Sequence, residues 1–306
     1  MDEELTIRPA RPEDRPAMEH ITAHTWEDGD YIPQVWDEWL GDEKGEMTVG
    51  EWGGPGGPVV ALSKITAQPE GQIWLEGMRV DPDYRERGIA SRFLQYNLDY
   101  GRSHGARVVR LATSFRNTVV HHMVAHQGME RVGVYAVWVA EPLAEGPQPA
   151  FLAPKDAAKV DGFLGHSAVL AHTHGLYTRD WAAQELSAGR VAELLEKGRV
   201  AAQRAPGGQI AALAIVEAEP GDDEMWIGFA DGQPEAVTHL ATQIRAYAAQ
   251  AGVDRIRMMI PDLEWLREAF RPAGYDWGDW DGELWVFESR LTEPPGEDPP
   301  ERQGRP

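Results

Sequence analysis

The 306 residues contain no cysteine. That excludes disulfides, thiolate metal sites and a cysteine nucleophile, and it fits a reducing compartment. Basic residues are scarce: Lys plus Arg number 29 against 50 Asp plus Glu, a formal charge of −21. A surface of that sign repels nucleic acid and anionic membranes and argues against both as partners. No apolar run approaches the roughly 20 residues that a bilayer requires. The opening Met-Asp-Glu-Glu-Leu is polar and acidic, the opposite of a signal peptide. A cytoplasmic protein is expected. His122 and His126 stand four apart, but no glutamate follows the first in the His-Glu-x-x-His manner and no third ligand is evident, so no metal is expected.

What is present reads as a folded chain: 42 % of residues are hydrophobic and 26 % charged. Domains commonly hold roughly 100–200 residues, so the length favours two. Alternating apolar residues over 5–10, 46–52, 58–67, 72–80, 107–113 and 135–140 predict strands, and residues 53–57, all Gly or Pro, predict a turn between two of them. Helical spacing marks 14–25, 33–40, 88–104 and 118–126. Residues 141–149, rich in Pro, Gly and Ala, read as a linker. The later half repeats the order, with helices over 160–173, 191–197, 236–251 and 263–270 and strands over 199–204, 209–218, 224–230, 255–260 and 283–289. Both halves carry a Gly/Pro turn between two strands and a helix closed by glycine before a strand, Gln127-Gly128-Met129 and Ala273-Gly274-Tyr275. The expectation is an α+β (mixed α/β) fold in duplicate, a mostly antiparallel mixed sheet flanked by helices: residues 1–142, then a degenerate copy over 150–291, then a disordered tail over 292–306.

The sharpest local signal is Arg85-Glu86-Arg87-Gly88-Ile89-Ala90, after a strand and at a helix start. Glycine allows a tight turn and close approach of a ligand. The free N–H groups of a first helical turn, here Gly88, Ile89, Ala90 and Ser91, point at any anion placed there. Arg85 and Arg87 add guanidinium charge suited to phosphate oxygens. The glycine spacing is not that of a dinucleotide site, and no Gly-Lys-Ser/Thr follows.

The segment "MRVDPDYRERGIASRFLQY" resembles the cofactor motif of the GNAT superfamily of N-acetyltransferases, Arg or Gln, two residues, Gly, one residue, Gly or Ala, filled by Arg85, Gly88 and Ala90. The resemblance covers about residues 6–140 well and 150–290 weakly. It implies acetyl-CoA as co-substrate. Its pyrophosphate would sit on Arg87 to Ser91, and its pantetheine arm would pair with exposed backbone at Met78, Arg79 and Val80. It implies attack by an amine on the thioester, with a backbone N–H near Met78 facing the oxyanion. Glu76, in the apolar strand Ile73-Trp74-Leu75-Glu76-Gly77-Met78, is the candidate base, since partial burial raises a carboxyl pKa toward the working range. The family often carries a tyrosine seven residues after an asparagine. Here Asn117, Gly128 and Met129 hold the frame, but position 124 is Val124. His121, one turn earlier, and Tyr135 are the remaining proton-donor candidates. Trp26, Asp28, Asp30 and Tyr31 fall where the family shapes its acceptor pocket, and aromatic walls with carboxylates suit a cationic small-molecule amine or peptide. In the later half the corresponding junction, Trp226 to Pro234, has glycines but no arginine, and Asp231 would repel a pyrophosphate. The alternative is a non-catalytic binder of acyl-CoA or of a small cation on the same fold. Monomer and homodimer both stay open.

Overall fold

The computed structural model describes residues 4–23, 25, 29–219, 221–278 and 282–291. Trp26, Asp28 and the expected tail over 292–306 lie outside the described residues. In chain order the elements begin with β1 (Leu5–Pro9), α1 (Arg15–Thr22), α2 (Ile32–Leu40), β2 (Glu46–Trp52), β3 (Val59–Gln68) and β4 (Gln72–Val80). Then come α3 (Ile89–Ser103), β5 (Val108–Ser114), α4 (Thr118–His126) and β6 (Glu130–Ala140). The later part holds β7 (Ala150–Phe151), α5 (Ala157–Leu164), α6 (Ala168–His172), β8 (Leu176–Arg179), β9 (Ala182–Glu185), α7 (Ala188–Glu196), β10 (Val200–Arg204) and β11 (Ile210–Glu217). It ends with β12 (Glu224–Gly232), α8 (Pro234–Ala251), β13 (Arg255–Pro261), α9 (Glu264–Phe270), β14 (Asp276–Trp277) and β15 (Glu283–Arg290). Among the described residues no helix is long and apolar enough to cross a membrane.

The chain forms two compact units that interleave along the sequence. The first takes the chain through Leu111, then His121–Glu130, then the chain from Glu288 on. Its sheet runs β1-β2-β3-β4-β5, antiparallel except for the parallel β4–β5 pair. The second takes Ala112–Val120 and Arg131–Phe287. Its sheet runs β7-β10-β11-β12-β13-β6, antiparallel except for the parallel β12–β13 pair. Helices flank both, the mixed, mostly antiparallel architecture expected from the residue pattern. Several details differ from that pattern, among them the two-residue strands β7 and β14, which were not expected. The helix expected over 160–173 is broken, because Ser167 is extended (φ −66, ψ 118) and its hydroxyl accepts the Leu170 N–H. The β8–β9 hairpin was not anticipated; its strands are four residues each, too short for alternation to stand out.

In the first unit α3 carries the expected stripe: Ile89, Phe93, Leu94 and Leu98 are all buried. The Phe93 ring packs against Gly50 of β2, where an added Cβ would meet it at 2.7 Å. On the other side of β4, Arg110 is wholly buried. Its Nε donates to Glu288 Oε2 at 2.7 Å and its Nη1 to Gln72 Oε1 at 2.6 Å. This pair ties the end of β15 to the first unit. Arg110→Met alone should leave the buried Glu288 carboxylate with Arg290 at its other oxygen and still cost about 3 kcal/mol, whereas Arg110→Met with Glu288→Leu should recover most of it. Urea denaturation of the two variants checks this.

Candidate active site

β4 delivers the chain to Asp81, whose carboxylate accepts the Asp83 N–H at 2.9 Å and fixes the turn Pro82–Tyr84. Two left-handed residues follow, Glu86 (φ 63) and Gly88 (φ 73). Nothing lies within 4 Å of a Cβ added at Gly88, so the backbone angle and not crowding favours glycine there, and the space beside it is open. No side chain caps α3, and the first bonded N–H of the helix is that of Arg92, to the Gly88 carbonyl at 3.1 Å. The amides of Ile89, Ala90 and Ser91 are therefore left to an outside acceptor. Arg85 and Arg87 are both exposed beside them. Arg85 Nε donates to the Val80 carbonyl at 3.3 Å. The Arg87 guanidinium stands 5.2 Å from the Tyr84 ring centroid and 5.5 Å from that of Trp52, two rings in edge contact with each other. The aromatic pair holds a cation at the helix tip, a support that no motif in the sequence announces.

The strand leading to this tip opens away from β5. Their parallel ladder covers Gln72–Leu75 against Val108–Leu111 and stops. At the same point β4 bulges against β3: Glu76 faces Lys64 and Arg79 faces Leu62, so Gly77 and Met78 share one partner position. Gly77 has φ 65, and a Cβ there would lie 2.6 Å from the Trp39 ring of α2. Met78, Arg79 and Val80 are half-buried along the opened stretch.

Glu76, Asp30, Tyr31 and Arg79 come together at this bulge. The Glu76 carboxylate accepts a short hydrogen bond from the Thr66 hydroxyl. Asp30 has a fully buried side chain. It takes Arg79 Nε at 2.7 Å and the Ile32 N–H at 3.1 Å, so its charge anchors the start of α2. Tyr31 is 41 % exposed and lies edge-on to Trp39, with the Arg79 guanidinium 5.7 Å from its ring centroid. Its hydroxyl is pushed up to about 12, chiefly by desolvation, which Arg79 opposes and the negative Glu76 and Asp30 reinforce. Tyr31 thus stays protonated at neutral pH. His121 stands half-buried on α4. Val124, in the tyrosine position of the motif frame, is 0 % exposed and faces the core. Asn117 and Tyr135 fall in the second unit. The Asn117 side-chain Oδ1 accepts the Val120 N–H at 3.3 Å at the start of α4, and Tyr135 is buried on β6. Sequence reasoning missed Thr66, Trp39 and Trp52, whose roles depend on which strands and helices meet. Among the described residues no group of three or more His, Asp or Glu is placed to hold a metal ion.

The second unit repeats the strand geometry with different contents. The β12–β13 ladder covers Glu224–Ile227 against Arg255–Met258, and β12 bulges at Gly228. Here the Thr178 hydroxyl of β8 lies 2.6 Å from the Met259 carbonyl and 3.3 Å from the Gly228 carbonyl, bridging the two strands where their pairing ends. Beyond it β12 runs to Gly232 and α8 starts at Pro234, which has no N–H. Asp231 turns inward, accepting from the Ser167 hydroxyl at 2.5 Å and from the Val169 N–H at 3.2 Å. There is no arginine-bearing loop before the helix.

Residues 12–129 match the acetyltransferase (GNAT) family. The chain folds like a GCN5-related N-acetyltransferase from Sphaerobacter thermophilus, with a TM-score of 0.63, 13 % identity, and 94 % of this chain and 95 % of that one covered. A tandem GNAT protein from the clavulanic acid biosynthesis pathway aligns at a TM-score of 0.53 with 15 % identity, over 94 % and 98 % of the two chains. No curated protein matches the sequence. The fold is GNAT-like, and the matched segment contains the loop from Asp81 to Ser91, the bulged β4 and α3.

Proposed function

We propose that the first unit moves an acetyl group from acetyl-CoA to a cationic amine of a small molecule or peptide, by direct attack in a ternary complex in the cytoplasm. The observation that carries this is the uncapped tip of α3, preceded by left-handed Gly88 and flanked by Arg85 and Arg87, at the end of an opened β4. The pyrophosphate takes the amides of Ile89, Ala90 and Ser91, and the pantetheine pairs with the β4 backbone from Met78 to Val80. The amine nitrogen attacks the thioester carbonyl carbon. Its proton leaves to Glu76, directly or through one water, and the Thr66 hydroxyl bond keeps that carboxylate oriented. The oxyanion faces the N–H at Met78. The carbon–sulfur bond breaks and the coenzyme thiolate takes a proton; His121 and Tyr135 are the candidate donors. Tyr31 and Trp39 wall the acceptor side, with Asp30 holding Arg79 between them and β4.

The chain carries two copies of one fold, and the second has lost the coenzyme site. Thr178 bridging Gly228 and Met259, Pro234 at the helix start and the inward Asp231 support that reading. Calorimetric titration of the full chain with acetyl-CoA should therefore give a stoichiometry of one, and coenzyme thiol should be released above background with some member of an amine panel. Two sites per chain would refute the loss of the second site, and no binding would refute the proposal entirely. Buried Val124 favours a second reading, a non-catalytic acyl-CoA binder, because no hydroxyl occupies the position where the family often keeps one. Binding without thiol release across the panel would select it.

A further inference from the structure

The pair formed by Asp30 and Arg79 decides which charge the acceptor side presents. One Asp30 oxygen accepts Arg79 Nε at 2.7 Å, and the other accepts the Ile32 N–H at 3.1 Å. The Asp30 side chain is 0 % exposed and that of Arg79 16 %. The anion therefore lies inside, and what is exposed of the pair is the cation. Arg79 Nη1 turns back to the Met78 carbonyl at 3.0 Å, and the guanidinium stands beside the Tyr31 ring. A second ammonium entering along Tyr31 meets like charge at short range, in a partly buried place where such repulsion is weakly screened.

The body of the acceptor meets rings. Tyr31 and Trp39 form a corner, their centroids 5.8 Å apart and their planes at 84°. The corner is fixed in place. Ile32 and Trp36 of α2 are wholly buried, and the Trp39 ring rests on the β4 backbone at Gly77. The Tyr31 hydroxyl lies near enough to Glu76 to feel its charge. The polar end of Tyr31 thus stands by the candidate base, while the ring presents apolar surface beyond it.

We infer that the acceptor is a monoamine whose chain ends in a flat apolar group such as an aromatic ring, selected by the Tyr31–Trp39 corner, with Arg79 turning away a second cation. This rests on the acetyl-transfer reading of the first unit and names its substrate class. The amine nitrogen sits at Glu76 and the Tyr31 hydroxyl, and the carbon chain leads its ring into the corner. Diamines and polyamines are rejected by a repulsive element built into the wall.

Thiol release from acetyl-CoA by the full chain at neutral pH, with phenethylamine, pentylamine and putrescine as acceptors, tests it. Putrescine differs from pentylamine by one terminal cation, and phenethylamine differs by its ring. In kcat/KM, phenethylamine should exceed pentylamine, and pentylamine should exceed putrescine, each by about tenfold. Tyr31→Leu should lower phenethylamine about fivefold more than it lowers pentylamine; each amine is compared with itself, so intrinsic reactivity cancels. Asp30→Asn with Arg79→Gln removes both charges together and should close most of the gap between pentylamine and putrescine. Putrescine equal to or above pentylamine in the parent, no advantage for phenethylamine, or an advantage that survives Tyr31→Leu would overturn the inference and leave acetyl transfer standing. A gap that persists in the folded double variant would remove Arg79 from it. No acetyl-CoA binding by calorimetry, or no thiol release with any amine, would sink the acetyl-transfer reading and this inference with it.

Discussion

Exchanging Arg85 and Arg87 for glutamate together should leave the protein folded and remove measurable acetyl-CoA binding. Each guanidinium–phosphate bond is charge-assisted and worth about 1.5–3 kcal/mol, so losing two raises Kd by roughly a hundred- to ten-thousand-fold. Reversing the charge adds repulsion in the same direction. Folding should be spared because both side chains are exposed; Arg85 donates to the Val80 carbonyl at 3.3 Å and Arg87 to the Asp83 carbonyl at 3.4 Å. Replacing Arg87 also removes its contact with Trp52 and Tyr84, worth about 0.5–1 kcal/mol at an exposed site. Calorimetry with acetyl-CoA, beside a thermal melt, reads both quantities. Undiminished affinity in a folded variant would place the coenzyme elsewhere.

Glu76→Gln should behave in the opposite sense, binding acetyl-CoA nearly as the parent does while turnover falls about 10²–10⁴-fold, the usual contribution of a positioned base. Glutamine keeps the oxygen that accepts from Thr66, so the bulge at Gly77 and Met78 should persist. The distinguishing readout is the pH–rate profile. The parent's rate should rise with pH as the base loses its proton, and the variant should lose that limb. A merely structural Glu76 would lower the rate without changing the profile's shape, and a parent-like profile in the variant would discard the base assignment.

The coenzyme loop was legible in the residues because its chemistry is local. A glycine needing φ above zero, two arginines and a helix start occupy six consecutive positions. Most elements were legible for the same reason: period and turn residues are short-range signals. The acceptor side was less so. Asp30 reads in sequence as a free pocket carboxylate, yet its charge is consumed by Arg79, 49 residues away, and by the Ile32 N–H. Trp39 reads as an ordinary apolar helix residue, and only the glycine opposite it, at 77, shows that its ring must lie against backbone.

By itself the sequence determined the anion-receptive tip of α3, most of the order of strands and helices, and the absence of arginine between Trp226 and Pro234. These follow from backbone angles, side-chain period and charge, all set by near neighbours. Only the tertiary structure decided which sheet each strand completes. β6 pairs with β13, and the end of β15 joins β5 through Arg110 and Glu288, because any apolar strand with a free edge satisfies the backbone equally well and long-range packing makes the choice. The same holds for the slot between β12 and β13. Nothing in Thr178 marks it as a bridge until folding brings two carbonyls within reach of its hydroxyl.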